Sequence, residues 1–220
     1  MTTIFNYMKI FLSKINESWI VDRLKDEWSQ FNAETVVNNI KKADIVWVIS
    51  PWLWNKISKK YLKSKKVVCS IYHLEESDFT DKSIKEFKKR DQFVDVYHVI
   101  SPITKRELSK LTDKEIVYIP FWVNQNIWFQ IDNKNELRKD FNIKDESFVV
   151  GSFQRDTEGS DLISPKLIKG PDRFIEIVKY LNDQKENLLI LLSGKRRGYI
   201  INELEKANID FLYFEMADFT

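Results

Sequence analysis

Three of the five glycines lie in one segment, residues 151–174, which joins an apolar run to a helical pattern. Gly151, Arg155, Lys166 and Lys169 all lie in it. A loop between a strand and a helix N-terminus presents free N–H groups and the positive end of the helix dipole, so it suits an anion. Cationic side chains add charge-assisted hydrogen bonds to phosphate oxygens. The segment is interpreted as a diphosphate-binding loop. An ordinary polar loop is the alternative, because no Walker or GxGxxG pattern is present.

A second basic turn follows the apolar run 188–192 and opens another helical pattern. It contains Ser193, Gly194 and Arg197. Such a turn can bind an anion. Helix capping and surface charge explain it equally well, and both interpretations stay open at this point.

The two histidines differ in their predicted settings. His73 follows the apolar run 67–72, and in parallel sheets ligands gather outside the carboxyl ends of strands. The alternative is a loop histidine satisfied by local contacts. His98 lies inside a predicted strand, where a core or interface role is expected. Glu75 and Glu76 are weaker candidates beside His73.

Short apolar runs alternate with helical patterns throughout the chain. The predicted strands are 8–12, 45–49, 67–72, 94–100, 116–119, 148–153, 188–192 and 211–214. The predicted helices are 18–31, 33–42, 51–62, 81–90, 103–111, 134–141, 171–183 and 196–207. Several runs are continuously apolar, as in parallel strands that are covered on both faces. The pattern predicts an α/β fold with parallel sheets.

Composition changes in the middle of the chain. Glycine is absent from residues 1–150, and all seven tryptophans lie within residues 1–128. We therefore expect a first domain over 1–131, a linker over 132–146 and a second domain over 147–220.

Charge and cysteine content narrow the class of protein. The 35 Lys and Arg against 33 Asp and Glu give a net charge of +2, which does not indicate nucleic-acid binding. The single cysteine, Cys69, lies in an apolar run and fits a buried strand thiol. No secretory signal or run long enough to span a bilayer is evident, so a cytoplasmic setting is expected.

A basic, aromatic stretch lies at residues 51–66, where Trp52 and Trp54 precede several lysines. It fits a solvated helix whose apolar side packs on the sheet. It also fits peripheral contact with the anionic inner face of a membrane, or two tryptophans that stack on a sugar acceptor.

The glycine-rich segment resembles the start of the second domain in family 4 glycosyltransferases of the GT-B fold. The similar parts are Gly-Ser-Phe-Gln-Arg and Lys-Gly-Pro-Asp-Arg-Phe, which opens a helix. The resemblance implies that Arg155 and Lys169 hold the diphosphate of a nucleotide-sugar donor, with Gly151 at the strand end. The loop is longer than is usual in the family, so Lys166 competes with Lys169 for this role. Ser193, Gly194 and Arg197 fall on the donor nucleotide side.

The first half of the chain resembles the same family. His73 ends a strand in the manner of a family histidine near the transferred sugar, which makes it the catalytic candidate. The run 116–129 is similar to the family segment that ends the first domain, with Phe121-Trp122 in place of Asn-Gly.

The resemblance implies a GT-B-like protein with a Rossmann-like first domain and the first part of a second. The implied reaction moves a sugar from a nucleotide-diphosphate sugar to a glycan or other acceptor, with no metal and no cofactor. The family's Glu-x7-Glu motif would follow beyond this sequence, so weak activity of the chain alone is expected. The rival interpretations are a non-catalytic GT-B fragment or binding module, and a generic phosphate-binding α/β protein.

Overall fold

The computed structural model describes residues 8–13, 20–76, 79–185 and 187–215. The chain folds as two compact units, the first extending to Phe129 and the second beginning at Gln130.

Strands and helices alternate along both units. The strands are β1 Ile10–Leu12, β2 Ile45–Val48, β3 Lys66–Ile71, β4 Val96–Val99, β5 Glu115–Tyr118, β6 Phe148–Ser152, β7 Leu188–Ser193 and β8 Phe211–Phe214. The helices are α1 Ile20–Phe31, α2 Lys59–Ser64, α3 Asp81–Asp91, α4 Pro102–Leu108, α5 Lys134–Asp140, α6 Pro171–Gln184 and α7 Gly198–Lys206. Short 3₁₀ turns span Ile40–Lys42, Pro51–Lys56 and Leu167–Lys169. The α/β prediction and its eight strands are confirmed.

The first unit contains a five-stranded parallel sheet in the order β1-β2-β3-β4-β5. One face includes Val46, Val67 and Tyr97, each of which is fully buried. The other face includes Trp47, which makes an edge-to-face contact with Trp28 of α1 at 5.2 Å between ring centroids. Helix α1 therefore covers the Trp47 face of the sheet.

The second unit contains a three-stranded parallel sheet in the order β6-β7-β8. Its core is formed by α6, α7 and the central strand, with Val178, Ile190 and Leu204 fully buried. Helix α5 belongs to this unit, since Phe141 at its end makes an edge contact with Phe214 at 5.2 Å.

The helix predicted over 33–42 is wrong. The Asn32 side chain bonds to the Trp28 carbonyl and closes α1. Beyond it the chain runs beside β1, where Ile10 N donates to Thr35 O and Val37 N donates to Ile10 O. The β-branched residues of this stretch favour the extended form.

The helix predicted over 51–62 is interrupted. A 3₁₀ turn covers Pro51–Lys56, Ile57 is extended, and α2 begins at Lys59. The apolar spacing is still used, because Leu53, Ile57 and Tyr61 line one cavity with Phe11 on the sheet face opposite to α1.

Candidate diphosphate-binding site

The connection from β6 to α6 folds back on itself. Thr157 and Pro165 form an antiparallel bridge, Glu158 N donates to Ser164 O at 2.9 Å, and Lys166 N donates to Asp156 O at 2.7 Å. We call residues 157–165 the excursion. Its two ends are adjacent, so the extra length of the loop does not separate the residues that flank it.

At the base of the excursion, the backbone around Arg155 lies beside the backbone of Lys166 and Lys169. The Gln154 side chain donates to the Lys169 carbonyl oxygen at 2.8 Å. Arg155 and Lys169 are exposed, whereas Lys166 is half-buried. Arg155 is next to the residue that contacts Lys169, although 14 positions separate the two cations in sequence.

Helix α6 begins at this base. Gly170 precedes it with a φ of 66°, a left-handed conformation that glycine adopts without steric cost. Pro171 occupies the first helical position, where its lack of an N–H is harmless. The positive end of the 14-residue helix α6 thus lies directly after Lys169.

Gly151 lies within β6 and is exposed. The ring of Phe153 extends across it, since a Cβ atom at position 151 would meet the end of that ring at 2.7 Å. Phe153 is itself 66% exposed, so a large aromatic ring is exposed to solvent where the loop begins.

Arg197 is 1% exposed, so it is buried inside the second unit, whereas an arginine that binds a ligand at the surface would reach solvent. Its Nη2 donates to Ser152 Oγ at 2.7 Å, and its Nε lies 3.5 Å from Asp156 Oδ2. Asp156 is also 1% exposed and accepts from Tyr199 N at 3.3 Å through Oδ1. The pair joins the end of β6, the base of the excursion and the start of α7.

Burial sets the proton affinities of this pair. Removal from water raises the pKa of Asp156, and the positive charge of Arg197 opposes that rise. Burial lowers the pKa of Arg197, and the Asp156 carboxylate opposes that fall. The Arg197 Nε and Nη1 atoms and Asp156 Oδ2 are buried without a hydrogen bond.

The excursion is held by the turn between β7 and α7. The Arg196 carbonyl accepts from Asp156 N at 3.1 Å and from Thr157 Oγ1 at 3.2 Å. The Arg196 guanidinium donates to the Gly159 carbonyl. A Cβ atom at position 198 would overlap the Leu162 carbonyl oxygen, so glycine permits the close approach.

Ser193 ends β7 and Gly194 follows it, beside the same loop. Gly194 has a φ of 92°, and a Cβ atom added to it would lie 3.7 Å from the Phe153 carbonyl oxygen. Its own carbonyl accepts from the Tyr213 hydroxyl at 3.2 Å. The two predicted anion-binding turns therefore meet at the carboxyl edge of the second sheet.

His73 lies in the first unit, two residues after the end of β3. Its side chain is 70% exposed and its Nε2 lies 3.4 Å from Glu75 Oε1. His98 lies inside β4, as the sequence predicts, and is half-buried.

The two tryptophans of the basic stretch differ in exposure. Trp54 stacks on Phe93 at 5.8 Å, whereas Trp52 is 43% exposed. The lysines at 56, 59, 60, 63 and 66 are exposed. Membrane contact and a cytoplasmic location stay predictions.

Two properties of the described residues concern membrane crossing and metal binding. None of the described helices has the length and apolar character needed to cross a bilayer. Among the described residues, no three His, Cys, Asp or Glu side chains come together as a metal site would require.

Sequence reasoning gave no role to Asp156. The sequence shows Asp156 only as one acid in a polar loop. Its partner, Arg197, lies 41 positions away in sequence, and only the fold brings the two together.

Comparison with known proteins supports the fold. No protein-family model and no curated protein sequence matches the chain. Among solved structures, the chain is similar to sucrose-phosphate synthase from Thermosynechococcus elongatus, with a TM-score of 0.59 and 14% sequence identity. The similarity covers 93% of this chain and 52% of that one, so the chain spans about half the length of its structural neighbour. The fold is α/β with parallel, Rossmann-like sheets, consistent with a GT-B-like fold.

Proposed function

We propose that this protein is a GT-B glycosyltransferase of the family 4 kind that takes a nucleotide-diphosphate sugar as donor. The sugar is transferred to a glycan or other acceptor. The observation that carries the proposal is the closed excursion, which leaves exposed Arg155 and Lys169 at one base, directly before the N-terminus of α6.

The chemistry suits a leaving diphosphate. When the bond from the sugar to the diphosphate breaks, negative charge develops on the diphosphate oxygens. Arg155 and Lys169 stabilise that charge, and the N-terminal dipole of α6 adds to the effect. Arg155 offers a planar fork of donors that matches two phosphate oxygens, while Lys169 acts as a mobile point charge.

The remaining candidates have supporting roles in this proposal. Gly151, beneath the Phe153 ring, is the candidate within β6, and Lys166 is the second lysine within the loop base. Ser193 and Gly194 contribute the donor nucleotide side. Arg197 acts through Asp156 by holding the loop, and we assign it a positioning role rather than ligand contact. His73, beyond the carboxyl end of β3, is the candidate for contact with the transferred sugar.

Titration calorimetry with UDP and with GDP tests the diphosphate role. The wild-type chain should bind one of them, and the Arg155→Ala, Lys169→Ala variant should lose that binding by a factor of about 100 or more, since each charged hydrogen bond contributes roughly 1.5–3 kcal/mol. The control is Lys139→Ala, Lys144→Ala, which removes the same charge from exposed positions of the same unit. It should bind as the wild type does.

Inorganic phosphate separates the proposal from a generic anion site. A donor site discriminates a nucleoside diphosphate from phosphate, because it also contacts the nucleoside. Equal affinity for both ligands would point to a generic phosphate-binding protein. A folded chain that binds neither UDP nor GDP would contradict the proposal and favour a non-catalytic module.

A further inference from the structure

A further pocket lies in the first unit, far in sequence from the diphosphate-binding loop. It has a volume of about 450 Å³, within the range of roughly 300–1,000 Å³ typical of small-molecule sites. Trp28 and Phe31 from the end of α1 form one wall, and Trp122 forms another. Its position and its chemistry indicate what it binds.

The pocket is placed away from the carboxyl ends of the strands. Helix α1 follows β1 and runs back along the sheet, so its last turn lies toward the strands' amino ends. Asn32, directly after that turn, leads into the stretch that pairs with Ile10, the first residue of β1. Ligand sites of parallel sheets lie at the other edge, where β3 leads into His73. The pocket is therefore distinct from the proposed reaction site.

A buried carboxylate faces the pocket. Glu27 is 5% exposed and lines the cavity. Its Oε2 accepts from Trp122 Nε1 at 2.9 Å. Its Oε1 makes no hydrogen bond, and the nearest cation, Arg23 Nε, lies 3.5 Å away. Oε1 is thus enclosed beside Arg23, and the carboxylate places a negative charge in the pocket wall and holds the Trp122 ring.

Amide side chains complete the rim. Asn32, Asn124 and Gln125 line the pocket beside Glu27. An amide both donates and accepts hydrogen bonds, as a hydroxyl does. None of the described lining residues is Lys or Arg, so the pocket is not arranged for phosphate.

The floor of the pocket is apolar. Trp28 and Trp122 also line an adjoining cavity of about 310 Å³, together with Ile45 and Trp47 from the sheet. The aromatic rings present flat apolar surfaces, while the indole N–H of Trp122 is already bonded to Glu27. Trp122 is thereby held in one orientation.

We infer that this pocket binds a neutral saccharide unit, with an apolar C–H face of the ring against the tryptophans and its hydroxyls bonded to the amides beside Glu27. A pyranose combines an apolar face with a rim of hydroxyl donors and acceptors, and the pocket offers the complement of both. The inference does not depend on the donor-diphosphate proposal, since no residue is shared between the two.

Saturation-transfer NMR with glucose, galactose, mannose and N-acetylglucosamine tests the site. At least one sugar should receive saturation at its ring C–H protons from the wild-type chain. Trp122→Ala should abolish the effect, and Glu27→Gln, which keeps the shape but removes the charge, should lower affinity about tenfold. Trp128→Ala is the matched control, because Trp128 belongs to the same segment but is 59% exposed and does not line the pocket. It should leave binding unchanged.

Three results would overturn the inference. The first is no saturation transfer to any of the four sugars by the folded wild-type chain. The second is undiminished binding by folded Trp122→Ala or, should that variant not fold, by Glu27→Gln. The third is loss of sugar binding in the Arg155→Ala, Lys169→Ala variant, which would place the sugar in the second unit. Failure of UDP and GDP binding alone affects only the donor proposal.

Discussion

The Oγ atom of Ser70 lies 2.9 Å from Nδ1 of His98, where neighbouring strands β3 and β4 pair these two residues. Trp47 Nε1 donates to the same Oγ at 2.9 Å, and His98 Nε2 lies 2.9 Å from the Ile119 carbonyl oxygen. A carbonyl oxygen only accepts, so Nε2 carries the proton. Burial favours the neutral ring by lowering the pKa of His98, and in the neutral ring Nδ1 accepts from the Ser70 hydroxyl.

Acid should therefore destabilise the first unit through His98. Burial lowers the pKa of His98 below its ordinary value of 6.5. As pH falls through 6.5, the unfolded chain binds a proton that the folded chain resists, so the free energy of unfolding falls by at most about 1.4 kcal/mol per pH unit. Urea denaturation of wild type and His98→Gln across this pH range measures the effect, which the variant should lose. His73→Gln removes the other histidine and should retain it. Parallel curves for wild type and His98→Gln would contradict the prediction.

The Asp156–Arg197 pair should act as one unit in stability. Arg197→Met leaves a buried carboxylate without its cation and should cost about 3–5 kcal/mol of unfolding free energy. Asp156→Leu should cost a similar amount, and the double variant should cost less than the sum. A double-mutant cycle from urea denaturation measures the coupling. Lys206→Met, which removes a partner of an exposed ion pair with Glu203, is the control and should cost less than about 1 kcal/mol. Additive costs at 156 and 197 would show that the pair is not coupled.

Two glycines of the second unit should respond differently to alanine. Gly198→Ala drives a Cβ atom against the backbone oxygen of Leu162 and should cost about 1–3 kcal/mol, because the excursion or α7 must move. Gly151→Ala meets only the end of the exposed Phe153 ring, which can rotate away, and should cost less than about 1 kcal/mol. Thermal unfolding of both variants compares them. Equal losses would show that the contact between Leu162 and position 198 is not rigid.

Cys69 should be unreactive in the folded chain. It is fully buried, and burial raises its pKa to about 12. A chromogenic thiol reagent should detect no reactive thiol in the folded chain at neutral pH, and one thiol per chain after unfolding in urea. Above pH 9, the ordinary thiol pKa, the unfolded chain loses a proton that the folded chain keeps, so stability should fall as pH rises toward 12. Cys69→Ala should show a smaller alkaline loss. Rapid labelling of the native chain would contradict the burial.

Much of the fold is visible in the sequence. Runs such as the one at β7 are continuously apolar, and their length and composition identify parallel strands without any knowledge of the tertiary structure. The failure at 33–42 has a specific cause. Its apolar spacing fits a helix, but the stretch forms hydrogen bonds with Ile10, and a long-range backbone partner leaves no local pattern.

The candidate site was predicted in part. The cations and glycines between β6 and α6 were visible, because the residue types are distinctive. The closure of the excursion was not visible, since it depends on the bond from Lys166 to Asp156 and on the packing of position 198 against Leu162. Likewise, the pocket at Glu27 needs Trp122, which is 95 positions distant.

The sequence by itself determined the alternation of strands and helices, the two-part organisation of composition and the placement of cations before α6. These follow from local periodicity and residue chemistry, which act over a few neighbouring positions. Only the tertiary structure decided that Arg197 is buried against Asp156 and that Glu27 and Trp122 share a pocket. Such contacts join distant segments, and they form because the packing of whole elements, rather than any local preference, determines which side chains lose their water.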